Sequence, residues 1–187
     1  RPPRSTPSIR RQRQMCIRDR TRQMLYTGFV YDGPASVRYP RGTGPGKSID
    51  QSMTALPIGK AKVIREGHTI AILAFGAMLQ PALVAAEKLN ASLVDMRFVK
   101  PLDQELILGL TKNIRLIVTV EEHIISGGLG TAVLETLYTS ERTSIPRIKC
   151  LGIPNRFVDQ YGSQETVLES FGLLSKQISA TVQDLIG

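Results

Sequence analysis

RLIVTVEEHIISGGLGTAV, residues 115–133, is the stretch whose reading decides the fold. Leu116 to Val120 form a short apolar, β-branched run with no polar alternation. A strand buried on both faces of a parallel sheet reads this way. Glu121, Glu122 and His123 then stand at its C-terminal end, where open α/β sheets place their ligands. Gly127, Gly128 and Gly130 follow, and a helix is expected from about Gly128 to Thr139. The stretch is either an active-site corner or a closely packed strand-to-helix turn.

Outward from this corner the same grammar repeats. Upstream, Gly59 to Arg65 alternates like an edge strand, and Glu66-Gly67-His68 reads as a hairpin turn. Thr69 to Phe75 is a buried strand, and Gln80 to Asn90 a helix with Pro81 in its first turn. Ser92 to Met96 is the next strand. Arg97 to Pro101 is a loop, and Asp103 is placed to cap a helix ending at Leu110. Downstream, Pro146 to Ile153 is a strand. Gln164 to Glu169 and Ser175 to Ile186 are helices, with Ser163 and Ser175 as caps. The order predicts an α/β fold: a mostly parallel five-stranded sheet with one antiparallel edge strand and helices on both faces.

The first third of the chain is different. Residues 1–20 are Arg-rich, nearly free of apolar side chains and without period, so they read as disordered or non-native. Residues 21–31 suit a short helix carrying Met24, Leu25 and Phe29. Asp32-Gly33-Pro34 marks a turn, Ala35 to Tyr39 a short strand, and 43–47 a Gly/Pro loop. Residues 48–57 read as a linker, giving a boundary before a domain at 58–187.

Composition excludes several classes. The net charge of +8 suggests nucleic acid until it is located. Residues 1–22 carry eight Arg against Asp19 alone, and the remainder holds 16 basic and 15 acidic side chains. No basic face with interleaved aromatics appears, so no nucleic-acid partner is expected. No apolar run is long enough for a membrane span. Cys16 and Cys150 lack metal-type spacing, and a reducing cytosol is the default.

Three features bear on chemistry. The glycines at 127–130 could cradle a phosphate through backbone N–H groups, but the G-x-G-x-x-G and P-loop fingerprints are absent. They equally suit positive φ and close helix–sheet packing. Glu121, Glu122 and His123 could serve acid–base chemistry, yet on an extended chain at most two share a face, and no HExxH accompanies them. Helix capping, an interface or an indirect role are the alternatives, and no metal site is expected. Arg38 and Arg41 flank Tyr39-Pro40, and the Arg41 fork suits a phosphate or a surface ion pair.

Five stretches together carry a resemblance. RQMLYTGFVYDGPASVRYPRG (22–42), LPIGKAKVIREG (56–67), LVDMRFVKPLDQELI (93–107), VTVEEHIISGGLGTAV (118–133) and LGIPNRFVDQYGSQETVLESFGL (151–173) resemble the C-terminal end of 1-deoxy-D-xylulose-5-phosphate synthases. The EE-x(4)-GG-x-G pattern is shared across the transketolase-like superfamily, whereas YDGP-x-S-V-RYPRG with VDMRFVKPLD is more specific. The resemblance implies a transketolase C-terminal domain at 58–187, preceded at 21–47 by the remnant of a pyrimidine-binding domain. It implies a homodimeric enzyme using thiamine diphosphate and Mg2+ to join pyruvate and glyceraldehyde 3-phosphate with loss of carbon dioxide. The product would feed isoprenoid, thiamine and pyridoxal synthesis, in a bacterial cytoplasm or a plastid stroma. Arg41 matches the arginine that binds the phosphate of glyceraldehyde 3-phosphate. Glu121, Glu122, His123, Gly127, Gly128 and Gly130 match structural or interface positions. The GDG…N motif and the catalytic glutamate of the family are not in this sequence. No catalytic residue, bound cofactor or independent activity is therefore expected of the chain. The alternative reading is a stand-alone interaction module like the third domain of 2-oxo acid dehydrogenase beta subunits.

Overall fold

The computed structural model describes residues 18–37, 52–141, 144–159 and 161–186. The chain divides into two compact units, residues 1–57 and 58–187.

In the first unit, helix α1 spans Arg18–Val30. It begins three residues inside the stretch set aside from the sequence as disordered or non-native, since arginine is a good helix former and lets the helix extend backward. Thr27 is buried on it; its Oγ1 donates to the Gln23 carbonyl (2.6 Å) and accepts from the Leu56 N–H (2.8 Å). That bond ties the end of the unit back to its helix. Residues 34–37 pair with no strand among the described residues, so the strand expected from Ala35 is not formed over its described part. A segment without a neighbour lacks the ladder that defines a strand. Arg38, Tyr39, Pro40, Arg41 and the linker residues 48–51 lie outside the described residues.

The second unit is a five-stranded sheet between helices. Its strands are β1 (Lys62–Arg65), β2 (Ile70–Ala74), β3 (Ser92–Asp95), β4 (Leu116–Ile124) and β5 (Arg147–Ile153). Its helices are α2 (Leu79–Leu89), α3 (Gln104–Leu110), α4 (Leu129–Tyr138), α5 (Gln164–Ser170) and α6 (Ser175–Ile186). A 3-10 turn at Gly76–Met78 leads into α2. The sheet order is β1-β3-β2-β4-β5; β1 runs antiparallel to β3 and the other pairs are parallel.

Strand parity sorts the core into two layers. Ile70, Ile72, Leu116, Val118 and Val120 face α2 and α6, packing with Leu79, Ala82, Ile178 and Val182. Ala71, Leu73 and Ile117 face α3 and α4, packing with Ile107, Leu129, Val133 and Leu137. Both faces of β2 and the start of β4 are buried, as their unbroken apolar runs require.

Two local expectations are corrected. Glu66-Gly67-His68 is not a hairpin turn: β1 pairs with β3, and the chain crosses the start of β3 before entering β2. β2 is the central strand and takes parallel neighbours on both sides. The crossing is tight, because Gly67 N–H donates to Ser92 Oγ at 2.9 Å. A Cβ on Gly67 would lie 2.3 Å from the Ala91 carbonyl carbon. Ser175 does not cap α6 but is its first residue; Gln177 Oε1 reaches back to accept from the Leu174 N–H at 3.3 Å. Asp103 and Ser163 do cap, accepting from the N–H groups of Leu106 and Thr166.

Candidate functional site

The site candidates on β4 separate by parity. Glu121 shares the face of Ile117 and Thr119, toward α4, and is 1% exposed. Its Oε2 accepts from Leu129 N–H at 2.8 Å and its Oε1 from Gly130 N–H at 2.9 Å. These are first-turn donors of α4 that no intrahelical carbonyl reaches. The carboxylate therefore closes the positive end of α4 with two charge-assisted bonds. Glu122 points to the opposite face, exposed, and accepts from Gln164 Nε2 at 2.9 Å. His123 is exposed, with Nδ1 3.0 Å from the Ile124 carbonyl oxygen. The three side chains thus do not converge on one reacting atom.

The glycines serve this carboxylate. Gly127 has φ +77°, which turns the chain off β4, and its N–H donates to Thr131 Oγ1 at 2.9 Å. A Cβ on Gly128 would lie 2.1 Å from Glu121 Oε2. On Gly130 it would lie 2.6 Å from Cys150 Sγ, and on Gly152, in β5, 3.2 Å from Glu121 Cγ. Bare backbone at Gly128 and Gly152 gives the buried glutamate its room, and at Gly130 it makes room for Cys150 of β5. The part played by Gly152 has no signal in the sequence, because it depends on β5 lying beside β4.

The N-terminus of α4 is where a glycine turn would seat a diphosphate, and the Glu121 carboxylate fills it. Among the described residues no group of three or more His, Cys, Asp or Glu could hold a metal ion. The described residues therefore do not fit thiamine diphosphate with Mg2+.

A charged corner that the sequence marks only as strand and loop lies at the end of β3. Asp95 is buried, Arg97 Nε is 4.0 Å from Asp95 Oδ2, and the Arg97 N–H donates to Asp95 Oδ1 at 3.3 Å. Arg97 adopts φ +52°, a left-handed conformation that only structural constraint holds in a non-glycine residue. Lys62 pairs with Asp95 in register. Burial lowers the Lys62 pKa, the Arg97 charge lowers it further, and Asp95 offsets part of this. Elsewhere a cavity of about 270 Å³ is lined by Ala77, Met78, Pro81, Gln164, Glu165, Leu168 and Leu174. It is mostly apolar, and Gln164 on its rim is also the donor to Glu122.

Residues 59–184 match the family model described as "Transketolase, C-terminal domain". The chain belongs to the transketolase C-terminal-domain family. The mixed, mostly parallel sheet flanked by helices is the architecture of this transketolase C-terminal domain in the present chain. The chain is 52% identical over 162 residues to the 1-deoxy-D-xylulose-5-phosphate synthase of Nitrosococcus oceani, covering 87% of this chain and 25% of that protein. To the corresponding synthase of Methylobacillus flagellatus it is 49% identical over 162 residues, covering 87% and 26%. It thus spans about a quarter of the length of the curated relatives it matches. Among solved structures it is similar to a split-gene transketolase chain from an inactive beta4 tetramer, with TM-score 0.63 and 32% identity. That match covers 78% of this chain and 46% of the other. No helix among the described residues is long and apolar enough to cross a membrane.

Proposed function

We propose that this chain supplies the third domain, and the last segment of the preceding domain, of a 1-deoxy-D-xylulose-5-phosphate synthase. One observation carries the reading. The family model ends upstream at residue 59, whereas the likeness to the synthases covers 162 residues and so runs well into the segment containing YDGPASVRYPRG. A domain shared by all transketolases would not bring that upstream segment with it.

In this reading the whole enzyme is a transferase that joins pyruvate to glyceraldehyde 3-phosphate and releases carbon dioxide. Thiamine diphosphate with Mg2+ supplies the electron sink and is held by parts of the enzyme other than the residues described here. Arg41 binds the phosphate of glyceraldehyde 3-phosphate through its planar fork. Glu121, with Gly127, Gly128 and Gly130, holds the β4–α4 corner rigid; Glu122 and His123 lie on its exposed side. The enzyme works as a homodimer in a bacterial cytoplasm or a plastid stroma, and the 187-residue chain alone has no turnover.

A chimera tests this. Residues 22–187 replace the matching segment of the Nitrosococcus oceani synthase, and carbon dioxide release is assayed with both substrates, thiamine diphosphate and Mg2+. Turnover within about tenfold of the parent supports the reading; a folded, cofactor-loaded chimera without turnover contradicts it. A second reading, a separately encoded interaction module, is favoured by the likeness to the split-gene chain. It predicts a saturable protein partner for the 187-residue chain.

A further inference from the structure

We propose that the turn at Arg97 is a positioning device for the synthase reaction: it fixes the loop that grips residues 59–61, where the chain enters the second unit. The proposal rests on the synthase reading given above. Among the described residues two non-glycine residues take positive φ, Asn90 at +49° and Arg97 at +52°. Asn90 ends α2 as its left-handed cap. Arg97 ends no helix. Backbone kept in this region against its preference persists only where the surroundings over-determine it, and such places cluster at functional sites.

The constraint is local. The Phe98 N–H donates to the Met96 carbonyl, closing a three-residue turn around Arg97. Asp95 Oδ1 accepts from the Arg97 N–H at 3.3 Å, and its Oδ2 stands 4.0 Å from Arg97 Nε. One buried carboxylate thus holds both the backbone and the guanidinium of the turn. Further chain around Asp95 could only bury it more.

The turn sets the course of a short loop whose far end grips the entry to β1. The Ala61 N–H donates to Asp103 Oδ2 at 2.9 Å, and Lys60 Nζ lies 3.7 Å from Asp103 Oδ1. Gly59 has φ +72°, and a Cβ there would lie 3.0 Å from Pro101 Cγ. Asp103 also caps α3, so the grip is footed on a helix. Upstream, the Leu56 N–H is bonded to Thr27 Oγ1 at 2.8 Å. Pro57 and Ile58 alone separate the two anchors, and proline has its φ fixed. A shift of the loop is therefore passed up the chain, with little slack to absorb it, toward the segment to which phosphate binding was assigned above.

Arg97→Val and Arg97→Gly separate the turn from the guanidinium. Both remove the charge, but valine opposes left-handed backbone and glycine accepts it. Hydrogen exchange of the 187-residue chain is read at the Ala61 amide, with the amides of α6 as reference. R97V should speed exchange at Ala61 by about tenfold or more and leave α6 within about twofold, whereas R97G should leave both within about threefold. In the chimeric synthase, R97V should raise the KM for glyceraldehyde 3-phosphate by about tenfold, with kcat and the KM for pyruvate within about threefold. R97G should leave all three constants within about threefold. Gly59→Ala, on the gripped side, should raise the same KM, and R97V/G59A should exceed the larger single effect by no more than about threefold, because both loosen one grip. Equal effects of valine and glycine overturn the proposal, since the guanidinium and not the turn would then act. Faster exchange in α6 as well overturns it, since the turn would then serve stability alone. So does an unchanged KM beside a loosened Ala61. A chimera without turnover before any substitution refutes the synthase reading and removes the reaction the device would serve, while exchange at Ala61 still decides the grip itself.

Discussion

Both oxygens of Glu121 are taken up by backbone N–H groups of α4, and the carboxylate lies where a Cβ on Gly128 would fall. Removing the carboxylate would leave two buried donors without a partner. Glu121→Ala should lower stability by about 3 kcal/mol, and Glu121→Gln, which keeps one acceptor, by about half as much. Urea unfolding monitored by circular dichroism reads both. The clamp can also be strained from the helix side: Gly128→Ala should cost at least about 2 kcal/mol by displacing the carboxylate. At Gly127, where a Cβ meets nothing, alanine should cost only about 1 kcal/mol, for its positive φ. Lys62 is tested by pH. Its pKa is lowered in the folded chain, mainly by burial. The unfolded chain therefore binds that proton more tightly, and stability rises with pH through a window just below 10.5. Lys62→Met should be more stable than the unaltered chain at pH 7, with the gap narrowing toward pH 10.5. A gap independent of pH would assign the effect to packing. At this scale the sequence shows that Glu121, Glu122 and His123 cannot all face one way. It does not show which is buried, because a run apolar on both faces carries no parity.

At the scale of elements, the strands and helices of the second unit follow from their apolar runs, and Asp103 and Ser163 announce their helices. The pairing of β1 does not follow. A glycine between two strands serves a hairpin or a tight crossing equally well, and only the choice of β3 over β2 as neighbour separates them. Gly67 settles it physically, since its hydrogen lies where a methyl group would strike the Ala91–Ser92 backbone. Gly67→Ala should therefore destabilise the domain by about 3 kcal/mol or more, because backbone, unlike a flexible side chain, cannot swing aside. A true hairpin turn would tolerate alanine at about 1 kcal/mol. The charged corner of Lys62, Asp95 and Arg97 was illegible for a related reason: Asp95 and Arg97 are near neighbours in sequence, but only the β1–β3 register brings Lys62 to them. Cap placement shows the same limit at Ser175, where the side chain that reaches back is Gln177, three residues after the cap.

For the whole molecule, +7 of the net charge of +8 lies in the first 22 residues, and the remainder is nearly neutral. The family is carried by the domain at 59–184, while the choice among its members rests on the segment upstream. The residue with the strongest chemical claim, Arg41, lies in that segment, outside the described residues, so its role rests on resemblance and not on geometry. The corner that dominates the sequence, by contrast, has its carboxylate bonded to a helix. The central claim is thus a division of labour: Arg41 holds substrate and Glu121 holds the fold. The direct measurement is the KM for glyceraldehyde 3-phosphate of the chimeric synthase carrying Arg41→Ala or Glu121→Gln. The account predicts a rise of about tenfold or more for Arg41→Ala with unchanged thermal stability, and an unchanged KM with a lowered melting temperature for Glu121→Gln. An unchanged KM in the first, or a tenfold rise at full stability in the second, would contradict it.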